Sequence, residues 1–294
     1  MPVILRRRFL KISLASAIGA AVAGLAGFAY AHYVEPENIE ILPLELVLPR
    51  LDPAFDGYRL VQFSDIHMGT GMTTSRLTHI VHLVNNQNPD AVAITGDYVS
   101  HGDITPLLLG LVESLSKLQP KDGIFAILGN HDHWTDPQAI RTMLCRIGAV
   151  ELSNSTFDIQ RGDAVLHLAG VDDYWERKSR LDDVLARLSD SACAILLAHE
   201  PDFADVSAAT GRFDLQISGH SHGGQVRLPV INRPIKVPPY STIYPMGQYQ
   251  VGTMIQYTNR GVGTSARAVR FNCRPEITVF TLRAAATQQA NPKV

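Results

Sequence analysis

Five short apolar runs along the chain are each followed at once by a cluster of polar residues. The length and the β-rich composition of the runs predict buried strands; they span residues 59–63, 91–95, 124–128, 194–198 and 215–218. Ligands of open α/β sheets bind beyond the carboxyl ends of the strands, so we expect the polar clusters to share one site. The clusters are Asp65-Ile66-His67, Gly96-Asp97, Gly129-Asn130-His131-Asp132, His199-Glu200 and His220-Ser221-His222.

Helical patterns alternate with these runs and predict an α/β fold. Apolar residues with helical spacing follow candidate caps at residues 73–75, and Thr105-Pro106 and Asp136-Pro137 each begin a further helix. A fourth helix is predicted from Leu181. Strands and helices therefore alternate from about residue 59 to 210, which is typical of βαβ units.

The remaining segments predict β structure and loops. An edge strand is expected at residues 39–48, and a hairpin is expected at residues 157–160 and 164–169. Two later strands are predicted at residues 254–258 and 277–282. A proline-rich stretch, residues 229–245, lies close in sequence to His220 and His222, so it is either a substrate wall or a surface excursion.

The amino terminus has its own pattern. A basic segment, residues 6–11, precedes residues 12–31, which contain no charged residue and end in the small-x-small site Ala29-Tyr30-Ala31. This pattern is typical of an export signal, and the paired arginines are typical of a twin-arginine signal. The alternative is a retained membrane anchor, since about 20 helical residues span about 30 Å. Either way, we expect the rest of the chain on the outer (periplasmic or extracellular) side.

Charge and cysteine content narrow the class of protein. The chain has 26 basic and 28 acidic residues; without residues 1–31 the balance is 22 − 28 = −6. This argues against nucleic acid as a partner, because phosphate backbones attract basic surfaces. Cys145, Cys193 and Cys273 are predicted to be buried thiols, although one disulfide stays possible in an exported protein.

The polar clusters carry metal-ligand chemistry. Asp65 and His67 are two residues apart, so extended backbone would turn both toward one ion, and His220 and His222 repeat this spacing. Asp97 offers a carboxylate that could bridge two cations, which together clamp a phosphoryl group and activate water. Oxygen and nitrogen ligands without cysteine suit Mn, Fe or Zn. The other histidines are expected to be structural or surface residues: His32, His79, His82, His101, His133 and His167.

Taken together, Asp-x-His, Gly-Asp, Gly-Asn-His-Asp, a later His and Gly-His-Ser-His resemble the calcineurin-like metallophosphoesterase family. The resemblance runs from about Tyr58 to Leu282. Details at residues 219–229, 260–265 and 274–276 are similar to a bacterial exported or membrane-associated branch. The resemblance implies a four-layer α/β/β/α sandwich of two mixed sheets at residues 58–283, after a lead-in segment (32–57) and before a flexible tail (284–294).

The resemblance also implies an activity and roles for the site residues. The activity is hydrolysis of a phosphodiester or pyrophosphate bond by metal-activated hydroxide. Two divalent ions are implied, one held by Asp65, His67 and His222 and the other by Asn130, His199 and His220, with Asp97 bridging. His131 would contact the phosphate or protonate the leaving group.

The resemblance leaves the substrate open. Phosphorylated small molecules and lipid-linked substrates at the membrane surface are both candidates. Relatives in this branch are linked to hydrolysis of UDP-2,3-diacylglucosamine in lipid A synthesis, and phospholipid head groups and wall phosphodiesters are equally open. The oligomeric state is open as well.

One departure and two alternatives qualify this interpretation. Protein phosphatases of the superfamily carry a further Asp that orients the catalytic histidine. Here Ser100 occupies that position, so Asp103 or Asp132 is expected to replace it.

The alternatives are a serine hydrolase using Ser221 in a Gly-x-Ser-x-Gly turn, or an envelope protein that binds metal without catalysis.

Overall fold

Two six-stranded sheets form the centre of the molecule. The computed structural model describes residues 3–285, with side chains from residue 9 onward. The strands of the first sheet, in spatial order, are β1 (Glu40–Leu48), β12 (Glu276–Ala284), β2 (Tyr58–Phe63), β3 (Ala91–Thr95), β4 (Gly123–Ile127) and β5 (Val150–Glu151). Those of the second are β10 (Gly247–Val251), β11 (Met254–Thr258), β9 (Leu215–Ser218), β8 (Cys193–Leu197), β7 (Ala164–Gly170) and β6 (Ser155–Arg161).

Both sheets are mixed. In the first sheet β2, β3, β4 and β5 run parallel, while β12 is antiparallel to β2. In the second sheet β7, β8, β9 and β11 run parallel, and β6 and β10 are antiparallel edge strands. Parallel neighbours put the carboxyl ends of β2, β3 and β4 on one edge of their sheet, and those of β7, β8 and β9 on one edge of theirs.

The α-helices of the described residues are α1 (Val3–Ala29), α2 (Thr74–Asn85), α3 (Thr105–Leu115), α4 (Asn130–Trp134), α5 (Pro137–Arg146), α6 (Leu181–Leu185) and α7 (Ala204–Ala208). All of them except α1 and α4 cover the outer faces of the two sheets. One apolar core joins α2, α3 and α5 to the first sheet, another joins the two sheets, and a third joins α6 and α7 to the second sheet. These four layers are the predicted α/β/β/α sandwich.

Strand β2 shows how the sequence builds these layers. Val61 and Phe63 pack toward the helices, whereas Leu60 packs toward the other sheet. Because alternate side chains of a strand point to opposite faces, a strand buried on both faces is apolar at most of its positions. This explains the continuous apolar runs of the sequence.

The predicted elements are present with small shifts. Strands β3, β9 and β11 have the predicted bounds, and the hairpin and the edge strand are confirmed. Thr73 and Asp136 cap their helices by accepting backbone N–H bonds, whereas α3 is preceded by Ile104, so Thr105 is already in the helix. Strands β5 and β10 and the short helices α4 and α7 were not predicted.

One prediction was wrong and another falls outside the described residues. Cys193 and Cys273 are buried free thiols, but Cys145 is exposed, because it lies on the outer face of α5. From residue 286 on, the predicted flexible tail lies outside the described residues.

Helix α1 is apolar and stands clear of the sandwich. Within the described part of the chain, it belongs to the one helical stretch that is long and apolar enough to cross a membrane. The residues that follow it contact the sandwich: the Arg270 backbone N–H donates to the carbonyl of buried Ala31 (2.8 Å), and the Tyr30 ring packs edge-on against Phe271. The helix therefore leaves the domain from a fixed point.

Candidate metal centre

The predicted site residues meet at the carboxyl ends of strands from both sheets. Asp65 and His67 follow β2, Asp97 follows β3, and Asn130 begins α4 directly after β4. From the second sheet, His199 follows β8, and His220 and His222 follow β9. All seven side chains are buried. The structure thus brings together the whole set that the sequence placed on separate strands.

One group consists of Asp65, His67 and His222. The Nε2 atoms of the two imidazoles lie 3.0 Å apart, and His222 Nε2 is 3.3 Å from Asp65 Oδ1. The ligand atoms of the three residues all lie within 4.8 Å of one another. Two atoms bound to one ion lie about 3 Å apart, since metal–nitrogen bonds are about 2.1 Å, so the group fits a divalent ion.

A second group consists of Asp97, His199 and His220, again within 4.8 Å. Asp97 lies between the groups, because its Oδ2 is 3.4 Å from His67 Nε2 and 3.3 Å from His199 Nε2. A single carboxylate oxygen therefore faces both halves of the site. The arrangement could hold two divalent ions with one shared ligand.

Backbone carbonyls orient the imidazoles of this second group. His199 Nδ1 lies 2.6 Å from the carbonyl of Thr95, so its Nε2 points into the site. His220 Nε2 lies 2.9 Å from the carbonyl of Pro239, so Nδ1 is the nitrogen left for an ion. Such contacts fix the tautomer of metal-ligating histidines.

Buried polar atoms without partners also point to an ion. Asn130 Oδ1, His199 Nε2 and His222 Nδ1 are buried and have no hydrogen-bond partner among the described residues. Buried polar atoms are nearly always paired, because an unpaired one costs about 1–3 kcal/mol. One of the three, His199 Nε2, lies 3.3 Å from Asp97 Oδ2 within the second group, so the donor set fits metal binding.

Burial sets the protonation of three of the four imidazoles, whereas at His199 burial lowers the pKa but Asp97 outweighs it and raises this pKa well above its usual value. Burial lowers the pKa of His67 to about 3 and that of His220 to about 4, and it lowers the pKa of His222 well below its usual value. Burial alone would raise the pKa of Asp97, but His199 and the other imidazoles outweigh it and hold this pKa well below its usual value. Three imidazoles are therefore neutral at physiological pH, the form that binds metal.

The backbone brings the ligands together differently from the sequence argument. Asp65, His67, Asp97, His220 and His222 all have positive φ angles, between 48° and 65°. The two-residue spacing therefore works through left-handed turns rather than extended strands. Left-handed backbone is unfavourable for these residue types and concentrates at functional sites.

Glycines that precede the ligands leave no room for a side chain. A methyl group at Gly219 would overlap the Ser64 hydroxyl and the Asp65 carboxylate, and one at Gly96 would come within 2.7 Å of His199 Nδ1. The Gly-Asp and Gly-His pairs of the sequence are thus packing requirements of the site.

His131 lies beside the metal groups and faces the open cavity. Its backbone N–H donates to Asp97 Oδ1 (3.0 Å), and its Nδ1 is 2.5 Å from the carbonyl of Ser100. The expectation that Asp103 or Asp132 orients this imidazole is wrong. Asp103 is exposed and accepts from the Thr105 N–H, and Asp132 is occupied elsewhere.

Asp132 instead holds the two loops that carry the ligands. Its buried carboxylate accepts N–H bonds from Asp97, Tyr98 and Gly129 at 2.9–3.0 Å. The orienting role at His131 falls to the main-chain carbonyl of Ser100. A carbonyl fixes the tautomer without adding a negative charge beside the imidazole.

A cavity of about 330 Å³ opens over the site. Two aromatic residues that the sequence analysis missed line it: Trp134 packs on His131 at 4.8 Å between ring centroids, and Trp175 packs on His220 at 5.5 Å. Lys236, Val237, Pro238 and Pro239 complete one side. The proline-rich stretch is therefore a wall of the cavity. Tyr240 packs near Trp175 at 6.0 Å.

The sequence contained signals for the missed residues. Trp134 lies three residues after His131, which places both on one face of α4. Trp175 follows β7, a sixth strand that ends at the same edge, and the preceding Asp173 is buried. Glu200 accepts the N–H groups of Tyr174 and Trp175, at 3.1 and 3.3 Å, and thereby positions the tryptophan.

Ser221 has the surroundings of a spacer. Its hydroxyl accepts the N–H of Gly223 at 3.0 Å, and no histidine of residues 3–285 hydrogen-bonds to it. A single turn, His222–Gly224, follows instead of the helix that a nucleophile elbow requires. These contacts argue against the serine-hydrolase alternative.

Two of the histidines expected to be structural have ordinary partners. His133 pairs with Asp172 at 2.7 Å, and His167 is bonded to Asp158 and Ser189.

The two-sheet sandwich and its paired metal groups define a class of hydrolase. A model of the calcineurin-like phosphoesterase family matches residues 58–224, more than half of the chain, and the chain belongs to this family. Members of the family use divalent metal ions, so the protein is a metallophosphoesterase with a donor set suited to two of them.

Relatives from bacteria and a vertebrate match over most of the chain. The uncharacterized metallophosphoesterase YkuE of Bacillus subtilis is 37% identical, over 95% of this chain and 97% of the relative. The phosphodiesterase YaeI of Escherichia coli is 30% identical, over 94% and 98%. A Danio rerio transmembrane protein with a metallophosphoesterase domain is 31% identical, over 90% of this chain and 61% of its own length.

Proposed function

We propose that the protein hydrolyses a phosphodiester or pyrophosphate bond in a substrate at the membrane or envelope surface. The observation that carries the proposal is the position of Asp97, whose Oδ2 faces His67 and His199 at nearly equal distances between two ligand groups. Paired divalent ions supply charge neutralisation at the phosphoryl group and an activated water. The named phosphodiesterase among the relatives supports a diester as substrate.

The proposed ligand sets follow the two groups of the site. Asp65, His67 and His222 hold one ion, and Asp97 is shared between the two. Asn130, His199 and His220 hold the other, which gives the buried Asn130 Oδ1 a partner. Manganese, iron and zinc all suit these oxygen and nitrogen donors.

His131 is proposed to act on the leaving group. Its Nδ1 is held by the Ser100 carbonyl, so its Nε2 is the nitrogen available to the cavity. As an imidazolium it donates a proton to the departing oxygen, and a positioned acid of this kind contributes about 10²–10⁴-fold in rate. Trp134 and Trp175 offer apolar faces on which the leaving group packs.

We further propose that residues 1–31 stay attached as a membrane anchor. Cleavage after Ala31 would remove the carbonyl that accepts the Arg270 N–H and the Tyr30 ring that packs on Phe271. The transmembrane relative supports this choice over a removed twin-arginine signal. Basic residues near the start of the helix favour a cytoplasmic amino terminus, with the catalytic domain on the outer side.

The proposal is tested by metal analysis and a substrate panel. The panel contains an activated phosphodiester, an activated phosphomonoester and UDP-2,3-diacylglucosamine, and we expect two divalent ions per chain and preference for a diester or pyrophosphate. Asp97→Asn should lower kcat by at least about 10³-fold with loss of metal, because it removes the shared carboxylate. Asp103→Asn, which changes an exposed carboxylate after the same strand, is the matched control.

Three results would contradict the proposal. Preference for the monoester would overturn the phosphodiesterase assignment. Full metal content without turnover on any phosphoester would favour a binding protein. Loss of activity in Ser221→Ala together with activity in Asp97→Asn would favour the serine hydrolase.

A further inference from the structure

Residues 215–275 carry an unusual charge. They contain seven Lys and Arg residues and no Asp or Glu, in a chain whose net charge is −2. Some of these cations are buried and paired, such as Arg260 with Glu40 and Glu276. Arg233, Lys236 and Arg267 are exposed. The exposed charged side chains that this segment contributes are therefore all cations, which suits an anionic partner.

The same segment carries a loop with outward-facing apolar side chains. In residues 228–235, here called the apolar loop, Val230 is fully exposed, and Ile231 and Ile235 are 60% and 65% exposed. The loop is held in shape, because the Leu228 N–H donates to the Arg233 carbonyl (2.8 Å) and the Asn232 N–H donates to the Leu228 carbonyl (3.0 Å). Neighbouring exposed apolar residues in a fixed loop mark a contact surface.

The apolar loop lies beside the point where helix α1 leaves the domain. The Arg227 N–H, just before the loop, donates to the Phe271 carbonyl at 2.9 Å. Phe271 packs on Tyr30, and the next residue back, Arg270, bonds to Ala31. A pocket lined by both Tyr30 and Pro229 joins the helix end to the loop. A bilayer that holds α1 therefore lies next to the loop.

The loop also continues directly into the wall of the catalytic cavity. Lys236, Val237, Pro238 and Pro239 follow it and line that cavity. The Pro239 carbonyl contacts His220, one of the proposed ligands. The anchor, the apolar loop and the cavity mouth are thus consecutive features of one surface.

We infer that the apolar loop inserts into the interfacial region of the bilayer that holds α1, with Arg233 and Lys236 at the lipid phosphates. Apolar tips flanked by cations bind anionic membrane surfaces by this combination of burial and charge. The loop is then a second attachment point that fixes the domain on the membrane. The cavity mouth faces the lipid head groups, so the substrate class is a phosphodiester carried on a lipid. The substrate class rests on the proposed hydrolytic function, whereas the insertion rests only on the proposed membrane anchor.

Insertion is tested by quenching with lipids. The full chain is reconstituted into nanodiscs of phosphatidylcholine and phosphatidylglycerol with brominated or ordinary acyl chains. A fluorophore is attached to an Ile231→Cys variant in a Cys145→Ser background, since Cys145 is exposed and the other two cysteines are buried. The control label is at Val47→Cys, a position that is 56% exposed. Val47 lies seven residues along β1 from Glu40, so these two residues are about 23 Å apart.

We expect brominated lipid to quench the label at residue 231 and to leave the label at residue 47 unchanged. Equal quenching at the two positions would overturn the inference. An unquenched label at residue 231 in a protein that forms a dimer would also overturn the inference, because a second copy of the chain would then cover the apolar loop. The readout needs no enzymatic activity, so its outcome does not depend on the proposed hydrolytic activity.

The consequence for catalysis is tested with a second variant. Val230→Ser combined with Ile231→Ser should lower hydrolysis of a lipid-linked diester in the nanodisc about tenfold, and leave a water-soluble diester unaffected. Val47→Ser should change neither rate. Equal losses on the two substrates, or no loss on either, would contradict the inference. A wild-type chain inactive on both substrates would instead count against the proposed function.

Discussion

At the residue scale, the site combines unfavourable backbone with buried ligands. Five of the seven proposed ligands have left-handed φ angles, and each such residue costs about 1–3 kcal/mol. The surrounding contacts hold them there; for example, the His220 N–H donates to both oxygens of Asp65 at 3.1 Å. The protein therefore holds the donor atoms together before any ion binds.

The lowered imidazole pKa values make the stability of the metal-free protein depend on pH. The pKa of His67 falls from 6.5 to about 3 on folding, so between these values the unfolded chain takes up a proton that the folded chain does not. The contribution of His67 to the free energy of unfolding is therefore fully present above pH 6.5. It is lost as the pH falls toward 3, by about 1.4 kcal/mol per pH unit. His220 acts in the same direction, down to about pH 4.

This dependence is measured by urea unfolding at pH 6.5, 5.5 and 4.5 of detergent-solubilised protein from which a chelator has removed divalent ions. Each experiment gives the free energy of unfolding at that pH. The His67→Asn variant should show a slope about 1.4 kcal/mol per pH unit shallower than the wild type. His82→Asn, which changes an exposed histidine on α2, should keep the wild-type slope. Identical slopes for all three proteins would show that His67 is not buried in its neutral form.

At the element scale, the strand-to-loop junctions of the two sheets position the ligands. A Cβ at residue 219 would overlap Ser64 Oγ and Asp65 Oδ2, so the ends of β9 and β2 can approach only because residue 219 has no side chain. In Gly219→Ala we expect Asp65 to be displaced, with loss of the first ion and about 1–3 kcal/mol of stability from overpacking. Thermal unfolding and metal content per chain measure both effects.

Gly27→Ala is the matched control for this change, because no atom lies within 4 Å of the position that its new Cβ would occupy. It should keep the wild-type melting temperature and metal content. A Gly219→Ala protein with both properties unchanged would contradict the close approach of the two loops.

The sequence predicted elements best where both faces of a strand are buried. Strands β3 and β9 are buried throughout, and their bounds were predicted to the residue. Strand β10 was missed because it alternates between exposed and half-buried residues and carries few apolar side chains. Helix α4 is five residues of polar sequence formed around the site, so no apolar periodicity marks it.

The candidate site was predictable as a set of residues, although its geometry was not. Strand ends identified Asp97 and His199, because parallel strands bring their carboxyl ends to one edge. The left-handed turns at His67 and His222 and the carbonyl behind His131 depend on tertiary contacts. Trp175 could have been found by searching the end of β7 for site residues, as was done for the ends of the other five strands.

At the scale of the whole molecule, the chain joins an apolar helix to a hydrolase through one short contact region. Glu35 accepts the backbone N–H of Cys273, and the Arg76 guanidinium donates to the Pro36 carbonyl. These bonds tie the segment after the helix to α2 and to the segment before β12. The connection is part of the folded domain, so helix α1 leaves the domain at a fixed point.

This connection leads to a prediction about processing. The wild-type protein should be recovered from the membrane fraction with residues 1–31 present, because Ala31 is buried against the domain and its carbonyl is bonded to Arg270. Intact mass and amino-terminal sequencing of the membrane-bound protein measure this directly. Ala29→Leu, which removes the first small residue of the candidate cleavage site, should give a protein of unchanged length and location. Recovery of a wild-type chain that begins at His32, outside the membrane fraction, together with a longer Ala29→Leu protein, would show that the segment is a cleaved signal. In that case the domain would reach its substrate without the anchor, and the apolar loop alone would have to supply membrane contact.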